Sequence, residues 1–172
     1  NLGFYIDDGN NNFLRGNTAS SNRTGIKLSG SSSNTLDGNT VSNNSEIGIL
    51  FNLANNNTLT ANSLSGNSPY TLYFWRDYDD EFPYDNLEEF NSRDNLIYNN
   101  NFYGPSLLQF ASGNFFSQPP SVGGNFWSAN TGCIDDDPVD PDRICDQPYP
   151  SDDYPLTDPV VWVPPPNSPP IA

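Results

Sequence analysis

The sequence has no histidine and no methionine in 172 residues, and only six basic residues against 21 acidic ones. Without histidine the commonest general base, most transition-metal sites and the Ser-His-Asp triad disappear together. The net charge of −15 argues against a nucleic-acid groove, which needs clustered Lys and Arg. It suits a solvated surface, a bound cation or a cationic partner. No run of about 18 apolar residues is present, so no membrane-spanning helix is expected, and there is no signal-peptide pattern. Position 1 is Asn rather than Met, so the chain is expected to begin inside a longer product. Cysteine is limited to Cys133 and Cys145. Proline is missing before Pro69, and 13 of the 16 prolines lie from Pro119 onward. The chain therefore changes character near residues 69 and 119.

Asparagine is abundant, with 26 copies, and it keeps register. Gly3-Phe4-Tyr5-Ile6 leads to Asn12, Leu14, Asn17, Ala19 and Asn22. Gly25-Ile26-Lys27-Leu28 leads to Asn34, Leu36, Asn39, Val41 and Asn44. Gly48-Ile49-Leu50-Phe51 leads to Asn57, Leu59, Asn62, Leu64 and Asn67. The offsets are 22 and then 23 at each position, the mark of a solenoid. Phe4/Ile6, Ile26/Leu28 and Ile49/Phe51 alternate with Tyr5, Lys27 and Leu50, as a strand with one buried face requires. Leu14, Leu36 and Leu59 mark a second short strand, and Ala19, Val41 and Leu64 a third. Three short strands per coil fit an all-β parallel β-helix, with equivalent strands about 4.8 Å apart. Asn17, Asn39 and Asn62 are expected to stack as a ladder, flanked by the Asn12 and Asn22 lines. These asparagines are expected at corners because Asn tolerates a left-handed backbone. A disordered polar tract would not keep such register, and no leucine-rich-repeat core appears.

A fourth coil starts on time at Thr71-Leu72-Tyr73-Phe74, but Asn95 and Asn100 come 38 residues after Asn57 and Asn62. Fifteen extra residues therefore lie between Trp75 and Asp94. Phe102 continues the line of Ala19, Val41 and Leu64, so the inward side chains grow toward the end. Leu108 and Phe110 begin a degenerate fifth coil, and the register is lost after Phe116. The insert mixes aromatics with carboxylates on a loop, where function concentrates. Trp75, Tyr78 and Tyr84 with Asp79 and Asp80 form a candidate glycan-binding set: rings stack on sugar faces, and carboxylates bond hydroxyls. The alternative is that Phe82, Leu87 and Phe90 pack the loop onto the flank, with a short helix around Asp85–Phe90.

Further along come Gly124-Asn125-Phe126-Trp127-Ser128, an Asp-rich loop ending Asp140-Pro141-Asp142-Arg143-Ile144-Cys145-Asp146, then Pro148-Tyr149 and Asp153-Tyr154-Pro155-Leu156. This run resembles the C-terminal end of NosD-like β-helix proteins, and the coils resemble that family's N-N-T-[IL]-x-x-N and G-I-x-L pattern. The resemblance implies a right-handed helix of the pectate-lyase-like type. It also implies a periplasmic or cell-surface setting, since the family includes periplasmic nitrous-oxide-reductase accessory proteins and many surface proteins. The expected organisation is coils over 1–116 with the insert at 75–94, a cap over 117–158 and a Pro-rich linker over 159–172. The final Asn167-Ser168-Pro169-Pro170-Ile171-Ala172 resembles the opening of a PKD-type Ig-like domain.

Asp135, Asp137, Asp140, Asp142 and Asp146 place several hard oxygens close in sequence, which suits Ca²⁺. The loop is no EF-hand, lacking the central Gly and terminal Glu, and Pro141 and Arg143 stand where the family usually carries Gly. A solvated acidic loop is the other reading. Cys133 and Cys145 bracket this loop. A disulfide there would contribute about 2–3 kcal/mol in the loop-entropy picture, and a two-Cys metal site would lack His partners. Calcium-type ligands and sequons at Asn22, Asn43 and Asn56 are consistent with an extracellular compartment, or a periplasmic one.

Three functions follow. The first is a non-catalytic structural or adhesion module with glycan contacts. The second is a carbohydrate-active enzyme. A lyase needs a base beside a uronate, for which Lys27 and Arg76 are the candidates, but an acidic surface repels uronates. A hydrolase needs two carboxylates about 5–9 Å apart, and Asp77, Asp79, Asp80 and Glu81 offer no distinguished pair. The third is end-to-end stacking of coils into homo-oligomers or filaments, with Val160–Val163 available to add as a strand.

Overall fold

The computed structural model describes residues 1–75, 92–104, 108–109 (backbone only), 113–119, 122–129, 152 and 155–161. The first coil holds β1 (Leu2–Asp7), β2 (Phe13–Arg15) and β3 (Thr18–Ser20). The second holds β4 (Thr24–Ser29), β5 (Thr35–Asp37) and β6 (Thr40–Ser42). The third holds β7 (Ile47–Asn52), β8 (Thr58–Thr60) and β9 (Ser63–Ser65). The fourth holds β10 (Tyr70–Trp75), β11 (Leu96–Tyr98) and β12 (Asn101–Tyr103). Two short strands, β13 (Leu108–Gln109) and β14 (Phe126–Trp127), follow. All pairings between them are parallel, in three sheets: β1-β4-β7-β10-β13, β2-β5-β8-β11 and β3-β6-β9-β12-β14. This is a parallel β-solenoid of about four turns, all-β over the described residues.

The core follows the inward lines. Phe4 lies beside Ile26, Ile26 beside Ile49, and Ile49 beside Leu72. Leu14, Leu36, Leu59 and Ile97 line the second sheet, and Ala19, Val41, Leu64 and Phe102 the third. The growth in size continues one step further, because Trp127 pairs with Phe102. Their rings stack at 4.2 Å and 16°, Phe51 stacks on Phe74 at 4.6 Å, and Phe116 meets both Phe74 and Trp127. Large buried aromatics thus fill the core around Phe102 and Trp127, each burying more apolar area than an aliphatic side chain would.

The asparagine lines form ladders. The Asn39 backbone N–H and Nδ2 both donate to Asn62 Oδ1 at 2.9 Å, and Asn62 repeats this to Asn100. The second Nδ2 hydrogen turns back to a carbonyl of the preceding coil, Leu14 O for Asn39 and Leu36 O for Asn62. Each buried amide is thereby satisfied on both sides, as burial demands. The outer lines do the same through Asn34, Asn57 and Asn95 and through Asn44 and Asn67.

The reason expected for these asparagines needs correction. The left-handed residue is the one before each ladder position: Asn11, Ser33, Asn56 and Asp94 on one line, and Gly16, Gly38, Ala61 and Asn99 on the next. The ladder asparagine is selected for its amide, and the corner strain falls on its neighbour.

The insert leaves and returns at one corner. Trp75 pairs with Asn52, and the Ser92 hydroxyl accepts from the Ala54 N–H. Where the third coil turns with Leu53 alone at φ 50°, the fourth has residues 76–91. The proposed Asp85–Phe90 helix, Phe110, the Asp-rich loop, both cysteines with their expected disulfide, and residues 162–172 lie outside the described residues.

Candidate functional site

The outer face of the first sheet carries the chemistry that the coils do not need for stacking. Alternation sends Tyr5, Lys27, Leu50 and Tyr73 outward, and the parallel register sets them in one row, ending at Gln109. A second row runs Asp7, Ser29, Asn52 and Trp75. From Tyr5 to Tyr73 is three coil steps, about 14 Å at the usual interstrand spacing.

Aromatic rings hold both ends. Tyr5 and Trp75 are 47% and 45% exposed, so half of each ring is open to a ligand. Tyr73 lies 6.0 Å from Trp75 and 4.9 Å from Tyr70. Lys27 Nζ sits 4.9 Å above the Tyr5 ring, a cation–π contact. Leu50, between Lys27 and Tyr73, is only 9% exposed and stands apart from the core cluster. The Tyr5 hydroxyl bonds the Asp7 carboxylate, which raises its pKa above the usual tyrosine value, while Ser29 opposes that shift.

Of the candidate glycan set, Trp75 is therefore placed at the mouth of the insert, while Tyr78, Tyr84, Asp79 and Asp80 lie outside the described residues. Sequence reasoning missed Tyr5, Tyr70 and Tyr73 as companions of Trp75. The signal was present: the outward row repeats at 22, 23 and 23, like the inward one.

The cations are largely engaged elsewhere. Arg15 pairs with Asp37 at 2.8 Å and covers the Phe13 ring at 4.4 Å. Arg23 pairs with Glu46 at 2.6 Å. Arg93 lies 3.8 Å from Asp94. Lys27 is the one cation on the outer rows of the first sheet among the described residues.

The sequons differ in setting. Asn43 and Asn56 are exposed at left-handed corners, with φ 54° and 55°. Asn22 belongs to a ladder: its N–H donates to Asn44 Oδ1, and its Nδ2 to Ser20 O. The five Asp of the candidate calcium site are outside the described residues. Among the described residues no group of three or more His, Cys, Asp or Glu is placed to hold a metal, and no helix is long and apolar enough to cross a membrane.

Residues 1–132 match the family described as NosD, periplasmic copper-binding protein. The chain belongs to the NosD family. The match spans the solenoid and the Gly124–Ser128 motif and stops short of the cysteine-bracketed loop. No curated protein and no solved structure matches the chain. The periplasmic description of the NosD family agrees with the expected placement outside the cytoplasm.

Proposed function

We propose that this NosD-family chain is a non-catalytic periplasmic or cell-surface module that contacts a neutral glycan along the first-sheet outer face. The observation that carries this reading is the pair of half-exposed rings, Tyr5 and Trp75, at the two ends of one registered face. Between them lie Lys27 and Tyr73, with aromatic area for sugar faces and polar groups at the margin. Net charge −15 disfavours an acidic polysaccharide. Of the two basic candidates for a lyase, Lys27 sits over the Tyr5 ring, and Arg76 lies outside the described residues.

The family description names copper, which draws on imidazole and sulfur donors. This chain has no histidine and no methionine, and with its two cysteines joined in the disulfide of the same proposal it offers copper neither imidazole nor free sulfur donors. Calcium in the Asp135–Asp146 loop, a Cys133–Cys145 disulfide and glycosylation at Asn43 and Asn56 belong to the same proposal, as supports suited to an oxidising compartment.

Binding to a panel of neutral and acidic polysaccharides by affinity electrophoresis, with product analysis, tests the reading. Retardation by a neutral glycan without new reducing ends or unsaturated products is the expected result. Product formation would replace it with the carbohydrate-active alternative, and no retardation by any glycan would remove it.

A further inference from the structure

A buried carboxylate is held beside β14, in the third sheet, by donors that the solenoid itself supplies. Asp152 is fully buried. Its Oδ2 accepts from Asn125 N at 2.7 Å, Trp127 Nε1 at 2.8 Å and Asn125 Nδ2 at 3.2 Å. The first two have the short lengths of hydrogen bonds to a charged acceptor. The third is the weakest, because the two Nδ2 hydrogens also serve Ile97 O and Phe116 O at 2.9 and 2.6 Å. Gly124 completes the cradle: a Cβ there would overlap the Asp152 carboxylate.

The donors are fixed by the coils rather than by Asp152. Asn125 Oδ1 accepts from Asn100 N and Nδ2, both at 3.0 Å. The N–H groups of Phe126 and Ser128 donate to Asn100 O and Phe102 O. The Trp127 ring stacks on Phe102. The carboxylate arrives from a segment that touches the solenoid at two more places. Leu156 bridges Phe126 in parallel, and its N–H donates to Asn125 O. Val160 N donates to Asn101 Oδ1, and Val160 O accepts from Asn101 Nδ2, both at 2.7 Å. These two contacts engage only the main chain of Leu156 and Val160, which other residues offer equally. Of the three contacts, the one at Asp152 selects a chemistry.

We propose that Gly124, Asn125 and Trp127 form a preorganised carboxylate-binding site, separate from the first-sheet face. Asp152 is its tethered ligand, and occupation of the site latches residues 155–160 onto β14 and Asn101. The ligand class is a small carboxylate. Acetate reproduces the aspartate side chain from Cβ outward, so it enters once that side chain is removed. Donors already aligned within the coils make such binding favourable without further ordering. A tethered ligand acts at a high effective concentration, so free carboxylates compete poorly with Asp152 in the unaltered chain.

The test uses the full chain with Asp152→Gly, which empties the site, in sodium acetate, in sodium chloride at matched ionic strength and in acetamide. The expected result is a melting temperature lowered by several degrees and restored, saturably, by acetate alone. Folding of this variant only in acetate is the same rescue in stronger form. Asp152→Asn fills the site with a neutral amide and is expected to show no acetate response. Gly124→Ala added to Asp152→Gly puts a methyl group where the carboxylate sits and is expected to abolish the rescue. Acetate acting no better than chloride on Asp152→Gly, or equally on all these variants, would overturn the proposal. Hydrogen exchange of the unaltered chain reads the latch without any substitution. Trp127 Nε1–H and the N–H groups of Leu156 and Val160 are expected to share one opening rate. Leu156 and Val160 exchanging much faster than the indole would overturn the latch.

Discussion

At the residue scale, the ladder amides and their left-handed neighbours divide the work of each corner. Asn62 is fully buried and serves three groups on other coils: it accepts from Asn39 and donates to Leu36 O and Asn100 Oδ1. Asn62→Ala removes the acceptor of the Asn39 backbone N–H and the side-chain donor to Leu36 O, while Asn100 Oδ1 keeps the Asn62 backbone N–H and Asn39 Nδ2 keeps Leu14 O. Each buried group left unpaired costs roughly 1–3 kcal/mol. A total loss of about 4 kcal/mol in urea unfolding is expected. Asn17→Ala, which among the described residues breaks the single side-chain bond from Asn17 Nδ2 to Asn39 Oδ1, should cost about 1 kcal/mol. Equal losses at the two sites would show that position along the ladder is irrelevant. Ala61 tests the other half of the corner. It holds φ 55° where the equivalent residues of the coils before it are Gly16 and Gly38. An alanine there costs roughly 1–2 kcal/mol, partly offset by the greater unfolded-state freedom of glycine, about 0.4–1 kcal/mol. Ala61→Gly should therefore stabilise the fold by about 0.5 kcal/mol, a rise in denaturation midpoint.

At the scale of elements, legibility tracked the constancy of the spacing. The strands of the first three coils were readable because a fixed step of 22 or 23 keeps every line visible. The middle ladder then steps by 38, 25 and 27 to Asn100, Asn125 and Asp152, since loops absorb the excess without disturbing the stack. β14 was hidden for that reason, and so was Phe116 as the successor of Ile97. Asp152 was hidden for another reason: as one acid in an acidic tail it carries no sign that it ends an asparagine line. It ties the final segment to the last coil. Asp152→Ala removes the acceptor shared by Asn125 and Trp127, an expected loss of about 3 kcal/mol. Red-shifted tryptophan emission, as Trp127 loses its packed setting, should accompany it. An unchanged spectrum and midpoint would deny the carboxylate that role. The platform on the first sheet was half legible. Trp75 stood out by composition, whereas Tyr5 and Tyr73 gain meaning only when parallel register sets them in one row.

At the scale of the whole molecule, charge and architecture pull in different directions. A solenoid gains stability coil by coil from its neighbours, while a net charge of −15 repels itself. Exposed ion pairs such as Arg15–Asp37 and Arg23–Glu46 relieve little of this. Raising ionic strength from about 0.01 to 0.15 M shortens the screening length from about 30 to 8 Å, so the melting temperature should rise with NaCl. Calcium at matched ionic strength should raise it further, and EGTA should reverse that increment. If calcium and sodium act alike at equal ionic strength, screening alone is at work and the Asp135–Asp146 loop holds no structural ion. The interior of the helix is committed to stacking, and the proposed glycan contact rests on the outer first-sheet face. Calorimetric titration of a retarded neutral polysaccharide into the intact chain and the Tyr5→Ala/Trp75→Ala variant tests this division most directly. Ring stacking worth about 0.5–1.5 kcal/mol per contact predicts affinity about tenfold weaker in the variant, at a similar melting temperature. Unchanged affinity in a folded variant would contradict the account.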